Sequence, residues 1–363
     1  METRTVLNGI CPYFTMFPLD FPLRILEKKA KPGESVLDPF CGRGTTNFAA
    51  RILGLFSLGV DSNPVAVAIT EAKLVNARAE NIVKEAETIL HEVQVDALPE
   101  GEFWQWAYHP TVLTSLCKWR KALLEDCHSM ERKALRGIIL GALHGPQPKY
   151  SASYFSNQCP RTYAPKPRYA LNFWKKHNLH PKPVDVIEIV RKRAERFYAY
   201  QHESIGEVKL GDSRQLETLR PKNTNIKFHW VITSPPYYGM RTYLADQWLR
   251  LWFLGGPPWV EYRAINQFCH QNPHDFVKDL TTVWNHVASL CDRQANMVIR
   301  FGGIPARKIN HLDLIHESLK DTPWQIINIL PAGSAADGLR QANSFLRQKT
   351  QAQIEHDIWA KLK

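Results

Sequence analysis

The sequence predicts an α/β protein built on a mostly parallel, doubly wound sheet that is interrupted by a largely helical insertion. Short apolar strands alternate with helical segments near the start of the chain, and the same alternation resumes after residue 206. The stretch between them shows helical spacing of its apolar residues and no clear strand. Because strands that alternate with helices form parallel sheets, we expect ligands beyond the carboxyl ends of the strands.

The first half of the sheet is predicted from two strands. Ser35–Asp38 is a short apolar strand that runs into a Gly-rich turn, and helical spacing follows from Phe48 to Leu53. The second strand, Phe56–Asp61, ends on an acidic residue, and the turn at residues 62–64 then begins another helix. These elements form half of an α/β unit.

The insertion is predicted to be mainly helical. Helical spacing continues from Ile82 to Leu143, and a helix from about Val184 to Tyr200 closes the insertion. Between these segments, residues 145–183 are rich in proline, lysine and aromatic residues and show little periodicity. We interpret this stretch as a long ordered loop or a recognition surface.

The second half of the sheet is predicted from the alternating segments that follow the insertion. The predicted strands lie at residues 207–212, 228–233, 295–302 and 325–331. The predicted helices that separate them lie at residues 246–254, 275–290 and 307–319. After Pro331, the pattern predicts a loop and a charged terminal helix up to Lys363.

Composition indicates a globular protein of a reducing compartment. A chain of 363 residues with 44% hydrophobic content can build a packed core. No stretch approaches the roughly 18 to 20 apolar residues of a membrane span, so a cytoplasmic location is predicted. The seven cysteines form no Cys-x-x-Cys pair. Cys127 and His128 lack partners at zinc-ligand spacing, so no metal site is predicted.

The charge favours a polyanionic partner. The net charge is +11 and the pI is near 9.3, although a basic, solvated surface would give the same values. Basic residues are dense between Lys149 and Arg196, where they alternate with aromatic side chains. Cations interleaved with aromatic rings suit phosphates and unstacked bases.

The turn after the first strand predicts a cofactor site. It lacks the Gly-Lys-Ser/Thr of a phosphate-binding loop and a complete Gly-x-Gly-x-x-Gly dinucleotide motif. Gly42 and Gly44 let the backbone pass close to a ligand, and Asp38 can attract a cationic amino group. Asp61 can accept the ribose hydroxyl hydrogens, and Asp212 can accept from an adenine amino group. S-adenosylmethionine, which carries an ammonium and a sulfonium, matches this set of groups.

These residues resemble the amino-group DNA methyltransferases. Leu37–Thr46 resembles their first signature, Asp-Pro-Phe-x-Gly-x-Gly-Thr-Thr, and Thr233–Tyr237 resembles their catalytic signature. Tyr13–Pro18 looks like the motif that precedes their cofactor strand, although a hydrophobic staple before Leu23 explains it equally well. The resemblance covers roughly residues 12–76 and 207–303.

The resemblance implies a Rossmann-like S-adenosylmethionine-dependent methyltransferase fold. S-adenosyl-L-methionine is then the cofactor and DNA the partner, and an associated restriction endonuclease would be compatible with this family. The implied division of the chain is a cofactor-binding half at 1–90, a target-recognition insertion at 91–205, a catalytic half at 206–331 and a C-terminal tail at 332–363. The expected cofactor-binding residues are Phe14, Thr15, Asp38, Phe40, Gly42, Gly44, Thr45, Thr46, Asp61, Ser62, Asp212 and Ser213.

The catalytic residues are expected in Ser234-Pro235-Pro236-Tyr237. An exocyclic amine is a poor nucleophile, and acceptors aimed at its two hydrogens direct its lone pair at the methyl group. The Ser234 hydroxyl and the Pro235 carbonyl are these acceptors, the prolines hold the backbone rigid, and Tyr237 stacks on a flipped-out base. A rigid turn after a strand is the alternative explanation of this segment.

The first residue of the motif favours cytosine. Members of the family with Ser at this position look predominantly like cytosine N4 enzymes, and those with Asp or Asn like adenine N6 enzymes. Adenine N6 therefore stays open as the alternative, followed by an RNA base methyltransferase and a catalytically silent nucleic-acid-binding protein. A C5-cytosine enzyme usually needs a Pro-Cys motif for covalent attack, and neither Cys159 nor Cys269 follows a proline.

Several polar residues are candidates for DNA contact, because their side chains can read base edges or hold phosphates. Ordinary surface polarity is the alternative for each of them. The candidates are Asn157, Gln158, Arg161, Lys166, Arg168, Tyr238 and Arg241. Trp248 is expected to pack in the interior, and residues 255–259 are expected to form an exposed loop.

Overall fold

The chain forms two compact units in a computed structural model. The structure describes residues 3–13, 17–145, 153–157, 166–200, 203, 205–239, 244–261, 272–303, 309–334 and 354–363. The helical unit consists of residues 1–12, 71–201 and 243–264. The sheet unit consists of residues 13–70, 202–242 and 265–363. Each unit is therefore assembled from segments that are distant in the sequence.

Seven strands of the described residues form one sheet. They are β1 (Ser35–Asp38), β2 (Phe56–Asp61), β3 (Gly206–Leu210), β4 (Phe228–Thr233), β5 (Cys291–Phe301), β6 (Trp324–Ser334) and β7 (Ile354–Leu362). Their spatial order is β3-β2-β1-β4-β5-β7-β6. The first five pair in parallel, whereas β7 runs antiparallel to both β5 and β6. The predicted mostly parallel, doubly wound sheet is confirmed.

The helices are distributed over both units. A short 3-10 helix spans Thr3–Gly9. The α-helices are α1 (Asp20–Lys29), α2 (Thr45–Ile52), α3 (Pro64–Leu74), α4 (Ala79–Glu92), α5 (Glu102–Ala107), α6 (Pro110–Glu125), α7 (Met130–Ala142), α8 (Pro167–Lys176), α9 (Val186–Phe197), α10 (Leu216–Leu219), α11 (Leu244–Phe253), α12 (Pro273–Leu290) and α13 (His311–Lys320). No described helix has the length and apolar character that crossing a membrane requires.

Alternating residues of the central strands build a core on each face of the sheet. Val36 packs with Trp230 and with apolar residues of α1 and α2 on one face. Leu37 packs with Val231 and with apolar residues of α12 and α13 on the other. Successive side chains of a strand point to opposite faces, so strands covered on both sides are apolar throughout. This explains why β1 and β4 lack polar alternation.

The predicted terminal helix is wrong. Residues 354–362 form β7, which pairs with β5 at Ile358↔Ile299 and with β6 at Ile358↔Ile329. Ile358 and Ala360 are buried and lie two residues apart, as the period of a strand requires. The period-two alternation was therefore present in the sequence, but the charged residues on either side of these positions suggested a helix.

Residues 145–183 are not entirely a loop. They contain α8, which begins with a proline in its first turn and buries Ala170 and Trp174. A proline is tolerated in the first turn because the amide that it lacks would have no partner inside the helix. Within this stretch the structure describes residues 145, 153–157 and 166–183.

A buried ion pair joins the terminal strand to the parallel sheet. Arg300 of β5 binds Asp357 of β7 through two hydrogen bonds, Nε to Oδ1 at 2.7 Å and Nη2 to Oδ2 at 2.8 Å. The Arg300 guanidinium also lies 3.7 Å from the centre of the Phe21 ring. Side-chain exposure of the pair is only 10% and 17%, so loss of either charge leaves the other poorly solvated.

We expect Asp357→Asn to lower the free energy of unfolding by about 3 kcal/mol, because the Arg300 charge stays buried without a counter-charge. The double variant Arg300→Met, Asp357→Leu should recover most of this loss, since it leaves no unpaired charge. Urea unfolding of the three proteins measures both effects. Equal stability of Asp357→Asn and the unchanged protein would contradict the argument.

Candidate cofactor and catalytic site

The candidate site lies where the strand order of the sheet reverses. β1 has β2 on one side and β4 on the other, and all three strands are parallel. The turn at 39–44 and the segment at 234–239 therefore follow neighbouring strands at the same edge of the sheet. In open α/β sheets, ligands bind beyond the carboxyl ends of the strands at such a reversal.

Asp38 connects the two segments. Its Oδ1 accepts a hydrogen bond of 2.6 Å from Thr233 Oγ1 and one of 3.1 Å from the amide of Phe40. Burial raises the pKa of Asp38 to about 7, although these hydrogen bonds favour the ionised form. Its other oxygen, Oδ2, is buried and has no hydrogen-bond partner among the described residues. A buried acceptor of this kind fits the ammonium of a methionine moiety.

The two glycines of the turn, Gly42 and Gly44, differ in what surrounds them. Gly42 has a φ of +51°, its amide donates a 2.9 Å hydrogen bond to Asp61 Oδ2, and open space lies where a Cβ would project. Gly44 has a φ of +70°, and a Cβ there would meet Thr70 Cγ2 at 2.5 Å. The backbone at Gly44 thus lies close to α3, which leaves no space for a side chain there. At Gly42 the open space leaves room for a ligand.

Asp61 is positioned by the turn that follows β2. Its Oδ2 accepts from the Gly42 amide, and its Oδ1 accepts a 2.8 Å hydrogen bond from the amide of Asn63. Burial raises the pKa of this carboxyl to about 6. Asn63 Nδ2 also donates to Tyr13 Oη at 3.1 Å, which brings the start of the segment Tyr13–Pro18 to the same turn. Ser62, by contrast, is exposed.

Several expected cofactor residues hold the turn in place. Thr46 donates a 3.0 Å hydrogen bond to the Ile232 carbonyl, and Ser213 donates one of 2.5 Å to the Pro39 carbonyl. Thr45 is buried at the start of α2. These bonds tie the turn to the ends of β4 and β3. Phe14 and Thr15 lie outside the described residues.

Of the remaining expected cofactor residues, Phe40 contacts α12 directly and Asp212 is linked to it through Arg214. Phe40 places its ring edge-on to Trp284, with centroids 6.0 Å apart. Asp212 is engaged by Arg214, which donates to Oδ2 at 2.6 Å and to Oδ1 at 3.0 Å. Arg214 also donates to Asp279 Oδ2 at 3.0 Å. The sequence offered no sign of this second carboxylate, which lies 65 residues further along the chain.

The segment predicted to be catalytic, residues 234–237, is anchored at its tyrosine. Tyr237 Oη donates a 2.5 Å hydrogen bond to Glu355 Oε1 of β7, and its ring packs edge-on against Phe301 at 5.2 Å. Burial, followed by the Glu355 charge, raises the pKa of the Tyr237 phenol well above its ordinary value, whereas the Ser234 hydroxyl lowers it. Pro235 is buried. Sequence reasoning missed Glu355, because residues 354–362 were predicted to be helical.

The expectation of a DNA contact by Tyr238 is wrong. Its side chain is 5% exposed and belongs to the core beneath α12. Its ring packs edge-on against Phe276, with centroids 5.4 Å apart. The aromatic ring follows the catalytic segment in sequence, but the chain directs it into the interior. Arg241 lies outside the described residues.

Of the residues in the helical unit that were expected to contact DNA, only some are exposed among those that the structure describes. Asn157 Nδ2 donates to the carbonyls of Trp106 at 3.0 Å and Leu179 at 2.7 Å, so its amide joins two segments of this unit instead of facing DNA. Lys166 and Arg168 are exposed at the start of α8. Gln158 and Arg161 lie outside the described residues.

The aromatic residues of the helical unit are divided between interior and surface. Trp174 and Phe155 are buried, so they cannot stack on bases as an exposed aromatic could. Trp248 is also buried, as expected, with its ring 4.8 Å from that of Phe103. The predicted exposed loop is confirmed at Trp259, which is 63% exposed.

Comparison with known proteins supports the methyltransferase interpretation. A family model described as DNA methylase matches residues 3–72, about a fifth of the chain. The match includes β1, the glycine turn and Asp61. Together with the strand order, it indicates a methyltransferase whose cofactor is S-adenosylmethionine. No curated protein gives a significant match.

Two solved structures illustrate the structural comparison. The rRNA methyltransferase aviRa from Streptomyces viridochromogenes aligns with 12% identity and a TM-score of 0.40, over 99% of this chain and 93% of that chain. The magnesium protoporphyrin IX methyltransferase from Synechocystis PCC 6803, with bound SAM, aligns with 10% identity and a TM-score of 0.36, over 100% and 98%.

We expect cofactor affinity to rise with pH through about 7, because the ionised form of Asp38 binds the ammonium. The free protein should show the opposite trend in stability. Since the folded state keeps a proton that the unfolded chain releases, stability falls as pH rises from the ordinary Asp value of 3.8 to about 7. Asp38→Asn should reduce both dependences, as measured by calorimetric binding and by urea unfolding across this range.

Thr233→Val is the matched control for Asp38→Asn. It keeps the carboxylate but removes a hydrogen bond that lowers the pKa of Asp38, so the rise in affinity should move to higher pH. An unchanged pH profile of binding in both variants would contradict the assigned role of Asp38.

Proposed function

We propose that the protein transfers a methyl group from S-adenosylmethionine to N4 of cytosine at specific sites in DNA. The observation that carries this proposal is the hydrogen bond from Thr233 to Asp38. It couples the start of the Thr-Ser-Pro-Pro-Tyr segment to the carboxylate at the end of β1. A proline-rich turn of merely structural use would not need this position beside the cofactor turn.

The cofactor half of the site recognises S-adenosylmethionine by charge. When bound, this cofactor supplies an electrophilic methyl group on a sulfonium. Asp38 holds the ammonium through Oδ2, and Asp61 accepts from the ribose hydroxyls. Gly42 leaves open space at its Cα for the ligand. Each role matches the chemistry of a group at the strand ends.

The catalytic half prepares the amino nitrogen for direct displacement. The Ser234 hydroxyl and the Pro235 carbonyl accept its two hydrogens, which localises the lone pair on the nitrogen. The consecutive prolines contribute no amide donors, so they present only acceptors to the amine. No covalent enzyme intermediate is needed, because the methyl group passes directly to the amine.

The target base leaves the duplex before it reacts. Its amino group is paired inside the helix and out of reach, so the base is flipped and stacks on the Tyr237 ring. The hydrogen bond from Tyr237 to Glu355 fixes the position of this ring. Selectivity for cytosine rests on Ser234 as the first residue of the motif, by its resemblance to cytosine N4 enzymes.

DNA is proposed as the substrate on two grounds. The net charge of +11 favours a polyanion, and the model that matches residues 3–72 is described as DNA methylase. Lys166 and Arg168 present exposed cations within the proposed target-recognition insertion, residues 91–205. The cofactor half at 1–90 and the catalytic half at 206–331 complete the proposed division of the chain.

The product identifies the reaction. Incubation of DNA with cofactor labelled in its methyl group, followed by digestion to nucleosides, is expected to yield labelled N4-methylcytosine. Labelled N6-methyladenine would overturn the choice of base. Transfer to RNA in place of DNA would overturn the substrate class. Absence of transfer to any nucleic acid, combined with absence of cofactor binding, would indicate a silent binding protein.

Ser234→Ala and Asp61→Ala should separate chemistry from cofactor binding. Ser234→Ala is expected to lower kcat by about 10²-fold with little change in cofactor affinity, because the lost acceptor acts on the base amine. Asp61→Ala should mainly weaken cofactor binding. Steady-state kinetics and calorimetry measure the two effects, and equal losses of both quantities in each variant would show that the roles are misassigned.

A further inference from the structure

Glu355 makes an unexpected contact with the catalytic segment. It lies on β7, 118 residues away from Tyr237, whose hydroxyl it binds at 2.5 Å. The two side chains pack over Gly302, where an added Cβ would lie 3.0 Å from Glu355 Cγ and 3.3 Å from Tyr237 Cε2. The carboxylate is therefore held closely against the phenol.

The hydrogen positions along this contact follow from the donors available. The Tyr237 hydrogen is donated to Glu355. The Ser234 hydroxyl lowers the pKa of Tyr237, which is the effect of a donor that faces Tyr237 Oη. The three groups form a chain from Ser234 through Tyr237 to Glu355, and both lone pairs of Ser234 Oγ stay available for a substrate.

The charges around the chain leave Glu355 as its proton acceptor among the described residues. Arg300 of β5 contributes a positive field at Tyr237 but is bound to Asp357 through two hydrogen bonds. His356 Nδ1 lies 2.9 Å from His311 Nε2 of α13. The raised pKa of Tyr237 keeps the phenol protonated at neutral pH, so it can hand on a proton only while it receives another.

We propose that Glu355 is a positioning residue that acts through Tyr237: it orients the Ser234 hydroxyl and receives the proton that leaves the target amine. This inference rests on the proposed function. A hydrogen-bond chain that ends on a carboxylate polarises every member, so it strengthens Ser234 Oγ as an acceptor for the amino hydrogen. A neutral serine alone would hold that hydrogen less strongly.

The proton balance of the step is complete. The lone pair of the amino nitrogen forms the bond to the methyl carbon, while the bond from that carbon to sulfur breaks and sulfur keeps the electron pair. The nitrogen, now positively charged, gives a proton to Ser234 Oγ. Ser234 passes its own proton to Tyr237 Oη, and Tyr237 passes its proton to Glu355. The partly exposed carboxylic acid then loses the proton to water.

Glu355→Gln tests the role of the charge, because glutamine keeps an acceptor for Tyr237 but is far less basic. We expect kcat at saturating cofactor to fall by about 10²-fold, within the range of a positioned proton acceptor, with cofactor affinity unchanged. Glu317→Gln on α13, a 57% exposed side chain, is the matched control and should leave kcat unchanged.

Tyr237→Phe tests whether the proton passes through the Tyr237 hydroxyl. It removes the central hydroxyl, so adding Glu355→Gln to it should lower kcat no further, whereas independent roles would make the two losses multiply. Proton NMR of the protein without cofactor supplies a readout that does not depend on activity. A downfield hydroxyl signal is expected in the unchanged protein, absent in Tyr237→Phe and shifted upfield in Glu355→Gln.

The outcomes separate this inference from the proposed function. Methyl transfer to a base amine by the unchanged protein, with the same kcat in Glu355→Gln, would overturn the inference alone. Multiplicative losses in the double variant would overturn the route through Tyr237. Absence of base methylation by the unchanged protein would overturn the proposed function, and the hydroxyl signal would still report whether the chain exists.

Discussion

The hydrogen bond between Thr233 and Asp38 is the constraint on which the arrangement of the site depends. It joins the ends of two neighbouring parallel strands, and the apolar side chains of these strands pack into a core on each face of the sheet. Removal of the Thr233 hydroxyl would take a hydrogen bond from Asp38 Oδ1. The other oxygen, Oδ2, is already buried without a hydrogen-bond partner among the described residues. This buried contact at the reversal of strand order thus links the turn at 39–44 directly to the segment at 234–237.

Two buried carboxylates in this region destabilise the protein without its cofactor near neutral pH. Burial raises the pKa of Asp38 to about 7 and that of Asp61 to about 6, so each loses stabilisation when it ionises near neutral pH. A cationic ligand offsets this cost, because it interacts with the ionised form. The same burial that weakens the free protein therefore favours binding of a cofactor that carries an ammonium and a sulfonium.

The antiparallel strand β7 does more than complete the sheet. It brings Asp357 to Arg300 on β5, and it brings Glu355 to Tyr237 in the segment that is proposed to be catalytic. These contacts give the last ten residues two distinct tasks, one in stability and one in the proposed chemistry. A strand inserted between β5 and β6 can reach the site because its neighbour β5 lies directly beside β4.

The sequence by itself determined the local elements and the signatures at their ends. The glycine turn with Asp38, the acid at the end of β2 and the segment after β4 could be predicted because each depends on neighbours in the chain. Tertiary structure alone decided which distant groups meet: Glu355 with Tyr237, Arg214 with Asp279, and Asn157 with two backbone carbonyls. It also directed Tyr238 inward and made residues 354–362 a strand, because pairing and burial between remote segments outweigh the local pattern.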